Sequence, residues 1–220
     1  MRSLQSPSFW LKINNQALYY KILLGSLLLC VSACVTPTRP IAPEAPVKTL
    51  VIEPDANAQT TPAADFNILG RISIQSRNQN FSGSFRWRHL VINDEILLFT
   101  SLGQAIAEIS RDHNGFRLIT AKLEAFYASD AESLTEEILG WRLPLSGLQY
   151  WIQGVHSPST IAEKDLNNKD QVIAVRQDGW TIQYLSYMPA QPNIAIFPRI
   201  LSLHYEDLKI RLVIDSWNSE

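Results

Sequence analysis

The strongest constraint on this chain is a period-two alternation that begins at Phe66. Phe66, Ile68, Ile72 and Ile74 fall on one side of an extended chain, and Asn67, Arg71, Ser73 and Gln75 on the other. Phe81, Gly83, Phe85 and Trp87 then alternate with Ser82, Ser84, Arg86 and Arg88. Successive side chains of a strand point to opposite faces, so the pattern demands a sheet with one buried and one solvated face. The same alternation closes the chain, where Leu208, Ile210, Leu212 and Ile214 oppose Lys209, Arg211, Val213 and Asp215.

The intervening segments extend this into a meander. Glu95–Thr100 is apolar on both faces, and Gln104–Ser110 is a weaker strand candidate. Asn114-Gly115 marks a hairpin turn, followed by Phe116–Thr120 and Leu123–Ala128. Helix signals come next: Asp130 as N-cap, Glu132 in the first turn and Gly140 as the stop, with Ala131, Leu134 and Ile138 on one face. Pro144 opens a second short helix in which Leu145, Leu148, Trp151 and Ile152 cluster, and residues 156–170 read as a polar loop. Strands return at Val172–Gln177 and Trp180–Tyr187 around Asp178-Gly179, and at Ile200–Tyr205 and Leu208–Trp217 around Glu206-Asp207. The sum is a mainly β, α+β fold. It is a half-open, curved antiparallel barrel of about ten or eleven strands, with helices covering the opening.

Ahead of Phe66 the chain obeys other rules. Lys21 precedes the apolar run Ile22–Leu29, which is shorter than the roughly 20 residues a bilayer span needs. A basic start, a short apolar run and small residues make a secretory signal. Val31-Ser32-Ala33-Cys34 resembles the bacterial lipobox, in which small residues admit the peptidase and the thiol becomes lipidated. That resemblance implies a mature chain beginning at Cys34 with acyl chains sufficient for stable anchoring. Val35, where an aspartate would retain the protein in the inner membrane, implies the outer membrane, facing the periplasm. Residues 35–64 are rich in proline, with Pro37, Pro40, Pro43, Pro46, Pro54 and Pro62, a composition that gives extended linkers. The expected organisation is therefore a signal over residues 1–33, a lipidated and flexible tether over 34–64, and one domain over 65–217.

Several function classes are disfavoured by what the residues are. The full chain carries a formal net charge of −2, and residues 1–33 hold Arg2, Lys12 and Lys21 but no acid. The rest of the chain is more acidic still, which argues against a nucleic-acid surface. Of the two cysteines, Cys30 leaves with the signal and Cys34 is the lipid acceptor, so the domain is expected to hold no disulfide and no Cys/His metal site. His89, His113, His156 and His204 lie at no metal-ligand spacing and read as surface or rim residues. Ser82-Gly83-Ser84 is mid-strand rather than a nucleophile elbow, and Asp94-Glu95 reads as a turn. No catalytic residue and no cofactor is expected.

Aromatic residues are more informative. Trp87, Trp141, Trp151, Trp180 and Trp217, with Phe85, Phe99, Phe116, Phe126 and Phe197, either fill the core or line a ligand cavity. One apolar residue, Leu102, stands at the tip of a turn, Thr100-Ser101-Leu102-Gly103, where a single exposed leucine is ordinarily unremarkable.

Gly70-Arg71, Phe81–Trp87, Leu102-Gly103-Gln104, Gly140–Pro144, Leu148–Gly154 and Gln177–Trp180 with Tyr184 occur in an order and spacing that resembles the LolB family of outer-membrane lipoprotein receptors. The resemblance implies a half-open β-barrel lidded by helices. It also implies a protein that accepts lipoproteins from the periplasmic carrier LolA and inserts them into outer-membrane lipid. Cargo acyl chains would be held in an apolar cavity, without covalent chemistry. The family's cavity tryptophans fall at Trp87, Trp151 and Trp180, with Phe85, Phe99 and Tyr184 expected beside them. The membrane-insertion leucine falls at Leu102, flanked by Ser101 and Gly103; the family's usual proline is replaced by Ser101. A monomer is expected. The competing reading is a structural lipoprotein that binds an assembly or the cell wall, with its interior filled.

Overall fold

The computed structural model describes residues 44–54, 64–77, 79–190 and 196–218. The stretch read as a signal and the expected lipid acceptor Cys34 lie outside the described residues. In chain order the strands are β1 (Lys48–Ile52), β2 (Phe66–Gln75), β3 (Asn80–Leu90), β4 (Asn93–Thr100), β5 (Ala105–Asp112), β6 (Gly115–Thr120), β7 (Ala125–Ala128), β8 (Ala162–Leu166), β9 (Val172–Gln177), β10 (Trp180–Tyr187), β11 (Pro198–Tyr205) and β12 (Leu208–Asn218). Two helices, α1 (Ala131–Leu139) and α2 (Leu145–Trp151), stand between β7 and β8.

All twelve strands form one sheet in the order β1-β8-β9-β10-β11-β12-β2-β3-β4-β5-β6-β7. Every neighbouring pair is antiparallel. The edges β1 and β7 do not pair with each other, so the curved sheet stays open. Register slips between Ile214 and Ser216 in β12, and between Tyr184 and Tyr187 in β10, bend those strands and add twist. The expected alternation holds where it was strongest. Phe66, Ile68, Ile72 and Ile74 are buried, as are Leu208, Ile210, Leu212 and Ile214. One apolar cluster joins these strand residues to Leu134, Leu143, Leu148 and Ile152 of the helical segment.

Two of the twelve strands fall outside the ten segments named from the sequence. β8 lies inside the segment read as a polar loop, and β1 inside the stretch read as a tether. They pair with each other, from Lys48↔Leu166 to Ile52↔Ala162. The sequence of β8, Ala-Glu-Lys-Asp-Leu, hides its strand character because three of its five residues are charged, and one of them, Asp165, is buried. That charge is met by Arg176, whose Nη1 and Nη2 donate to the two carboxylate oxygens at 2.7 and 2.9 Å, and by Thr49 Oγ1 at 2.7 Å. The hydrogen bond from Arg176, set against the smaller effect of burial, holds the Asp165 carboxyl below its ordinary value.

α1 begins and ends on the expected signals, and Pro144 immediately precedes α2 as expected. Asp130 accepts a hydrogen bond from Ser133 N at 2.8 Å, satisfying a free N–H at the start of α1. Gly140, at φ 79°, ends it in the left-handed conformation that glycine adopts without penalty. Buried Thr135 donates to Ala131 O at 2.9 Å and accepts from Leu143 N at 2.9 Å, which folds the chain between the helices onto α1.

Candidate functional site

Trp151 ends α2 and is 1% exposed. Its ring lies over Gly147, where an added Cβ would come within 2.4 Å of the indole, so the helix tolerates this packing only without a side chain there. The indole N–H donates to Gln177 Oε1 at 2.9 Å. Gln177 is itself buried and fully partnered: it also accepts from Ser157 N at 2.9 Å and donates to Ser157 O at 2.7 Å and Thr160 O at 3.0 Å. Trp180 packs 6.2 Å from Trp151 and 5.1 Å from Tyr205, centroid to centroid. The Tyr184 hydroxyl donates to Trp151 O at 2.9 Å. Burial, reinforced by nearby Tyr187, pushes this phenol well above its ordinary value, so it remains a donor.

Trp87 anchors a second aromatic group. It packs edge-on against Phe66 at 5.0 Å, and Phe66 stacks on His89 at 4.9 Å. The Trp87 indole and His89 Nδ1 both meet Asp94 Oδ1, at 2.9 and 2.6 Å, while Arg111 Nε donates to Asp94 Oδ2. Burial alone would raise the Asp94 carboxyl. The hydrogen bonds from His89, Trp87 and Arg111 together outweigh that and hold it below its ordinary value.

Phe85, Trp87, Trp151, Trp180 and Tyr184 thus all face the interior and are 1–6% exposed. Phe99 departs from the expectation. It pairs across the ladder with Ser84, on the face opposite Phe85, while its neighbour Leu98 takes the buried position. Two sequence readings are corrected as well. His89 is 1% exposed rather than a rim residue, and Asp94 is a buried strand residue rather than part of a turn. The signal that could have found them is phase: His89 continues the inward set Phe85, Trp87, and Asp94 begins the inward set Ile96, Leu98. These interior aromatics are in contact with protein on nearly all sides. A surface groove of about 600 Å³ lies on the outer side of the Trp87 network, lined by Asp94 and Arg111 themselves and by other polar groups including Glu95, Glu108 and Arg117.

Leu102 is the opposite case. It is 89% exposed, between β4 and β5. Thr100 N donates to Gln104 O at 2.8 Å and Gly103 N to Thr100 O at 2.9 Å, closing the hairpin. Gly103 sits at φ 81°, the left-handed position of a three-residue hairpin loop. Ser101 Oγ donates to Ser82 O at 3.2 Å, tying the turn to the neighbouring strand β3. The turn is therefore a held structure that presents one apolar side chain to its surroundings. Among the described residues no group of His, Cys, Asp and Glu is placed to hold a metal ion, and no helix is long and apolar enough to cross a membrane.

Comparison with known proteins converges on one family. The family model described as outer membrane lipoprotein LolB matches residues 64–217. The outer-membrane lipoprotein LolB of Nitrosomonas europaea is 42% identical over 197 residues, covering 90% of this chain and 91% of that protein. The corresponding protein of Thiobacillus denitrificans is 37% identical over 170 residues, covering 77% of this chain and 89% of its own. A solved LolA superfamily protein from Nitrosomonas europaea aligns with a TM-score of 0.46 at 8% identity, over 75% of this chain and 90% of that one.

Proposed function

Since the chain belongs to the LolB family of outer-membrane lipoproteins, we propose that it is the receptor that takes lipoproteins from the periplasmic carrier LolA and releases them into the outer membrane. Its own attachment is through lipid on Cys34, with the domain facing the periplasm. Cargo acyl chains enter the interior between the sheet and α2, where Trp87, Trp151, Trp180, Phe85 and Tyr184 supply apolar surface. Those side chains are packed against one another. Acceptance of cargo therefore requires them to part, with the gain from acyl burial, about 0.8 kcal/mol per CH₂, offsetting the lost contacts.

The observation that carries this reading is the exposure of Leu102 on a turn braced by Ser101 and Gly103. An isolated apolar side chain held clear of the fold is suited to enter lipid while the domain stays outside it. Transfer then runs downhill through successive affinities, about 1.4 kcal/mol for each tenfold step. The test is a two-stage assay with carrier-bound lipoprotein and outer-membrane vesicles. Leu102→Glu is expected to strip cargo from the carrier at the normal rate and to fail in depositing it. Normal deposition by that variant would refute the role of the turn.

The filled interior is also what a structural, assembly-binding or cell-wall-binding lipoprotein requires, and it gives that second reading its one support. Tryptophan emission separates the two. Under the receptor reading, adding a diacylated lipopeptide changes the emission of Trp151 and Trp87, and emission that ignores the lipopeptide leaves the structural role.

A further inference from the structure

We propose that the turn between β6 and β7, through Leu123, is a second lipid-inserting tip beside the Leu102 turn, an inference that rests on reading Leu102 as a membrane contact. The two turns are built on one frame. In the first, Thr100 N donates to Gln104 O at 2.8 Å and Gly103 N to Thr100 O at 2.9 Å. In the second, Thr120 N donates to Glu124 O at 3.0 Å and Leu123 N to Thr120 O at 2.9 Å. In each, the threonine hydroxyl oxygen accepts from a backbone N–H of its own turn: from Gln104 at 3.2 Å in the first, and from Lys122 at 3.3 Å in the second. The left-handed position is Gly103 at φ 81° in the first turn and Leu123 at φ 63° in the second.

A leucine is a poor residue for that position, since its Cβ crowds the following carbonyl. Glycine or asparagine serves the turn better. Nor does the fold gain from the side chain, which is 85% exposed. A side chain that strains its own turn and packs on nothing in the fold is free to act outside the domain.

Topology supplies the direction. β4 runs up to the Leu102 turn, β5 runs away from it, and β6 returns to the same end. Ala121 N donates to Ile106 O at 3.0 Å, fastening the second turn beside the start of β5. The tips are two strand spacings apart, about 10 Å. Leu102 and Leu123, 89% and 85% exposed, are thus neighbouring apolar points on one rim. Lys122 and Glu124 flank Leu123, so the apolar area is one side chain wide. That is too narrow for a protein interface, which buries about 1,200–2,000 Å² in all. A fluid bilayer can accept it. One inserted tip leaves the domain free to swivel, whereas two fix the direction in which the interior faces the membrane.

The test uses the lipidated chain beginning at Cys34, in which the introduced cysteine is the one free thiol, in vesicles of phosphatidylethanolamine and phosphatidylglycerol. An environment-sensitive dye is placed through Leu102→Cys, Leu123→Cys or, at the other end of the strands, Ile92→Cys. Ile92 is 77% exposed and serves as the control. Nitroxide acyl lipids are expected to quench the dye at 102 and 123 and to spare it at 92. Quenching at 102 without quenching at 123 overturns the second tip and leaves the first standing. Absence of quenching at both overturns both. Shielding of the dye at 123 by the carrier protein without lipid makes it a protein contact, and also overturns the proposal. Leu123→Asn keeps a residue that tolerates the left-handed backbone while removing the apolar tip. It is expected to slow lipoprotein deposition roughly tenfold, the effect of losing one buried leucine side chain. Deposition at the parent rate would overturn the proposal even in a fully folded protein.

Discussion

The Trp87 indole donates to Asp94 Oδ1 at 2.9 Å, so a tryptophan of the interior is held by a buried carboxylate on the adjacent strand. Asp94 sits across the ladder from His89, and the same carboxylate gathers His89 and Arg111. Without Asp94 the Trp87 indole N–H, His89 Nδ1 and Arg111 Nε would all lose the carboxylate they share. The position of Trp87 is therefore set by polar chemistry as much as by packing.

Asp94→Ala should cost about 3–5 kcal/mol, the range for removing one member of a buried charged pair. Trp87→Phe, which keeps an apolar ring and loses only the donor and some volume, should cost less, about 1–3 kcal/mol. Urea unfolding of the two variants measures both. An Asp94→Ala protein within about 1 kcal/mol of the parent would mean that the network contributes little.

Acid should weaken the fold through two carboxyls. Asp94 and Asp165 are both held below the ordinary value of 3.8. A lowered carboxyl contributes stability that is complete above its unfolded-state value and is lost as pH falls through its folded-state value. Stability should thus be flat in these groups above about pH 5 and fall below about pH 4. Asp94→Asn combined with Asp165→Asn should lower stability at neutral pH and flatten the acid limb. An acid limb unchanged in the double variant would assign it to other groups.

Gly83→Ala should be among the most damaging single-methyl changes in the domain. A Cβ at that position would lie 1.9 Å from Phe99 O and 2.7 Å from the Phe81 ring, and the backbone oxygen cannot retreat without breaking the β3–β4 ladder. A loss of about 3 kcal/mol is expected, at the upper end for overpacking. Thermal unfolding of the variant decides it, with a shift of less than about 2 °C arguing that the strands part easily.

The edge strand β1 should depend on Asp165. Thr49, Asp165 and Arg176 link β1, β8 and β9 through hydrogen bonds of 2.7–2.9 Å. Arg176 is partly exposed, so the loss on Asp165→Ala is set at about 2 kcal/mol. Amide exchange over 48–52 should quicken before that of β2 or β12. Uniform quickening across the sheet would show instead that β1 is part of the global folding unit.

How far the sequence could be read depends on how each element is stabilised. β2, β3 and β12 were legible because their inward sets are apolar and their outward sets polar. α1 was legible because Asp130 and Gly140 act on their own backbone. β8 was not, because three of its five residues are charged and the buried one, Asp165, has its partner, Arg176, eleven residues away. β1 was not, because five residues between prolines acquire strand geometry only when β8 lies beside them. Leu102 could be placed on a turn tip from its neighbours, but its exposure depends on what surrounds that tip.

By itself, then, the sequence determined the period, hence a one-faced antiparallel sheet, the stops of α1, and the order of motifs that marks the family. Those are local properties, written in adjacent side chains and their own backbone. Tertiary structure alone decided that Asp94 and Gln177 hold the tryptophans, that Phe99 turns outward, and that Leu102 and Leu123 share one rim. Each of those depends on which strand lies beside which, and that is fixed by burial and pairing between residues far apart in the chain.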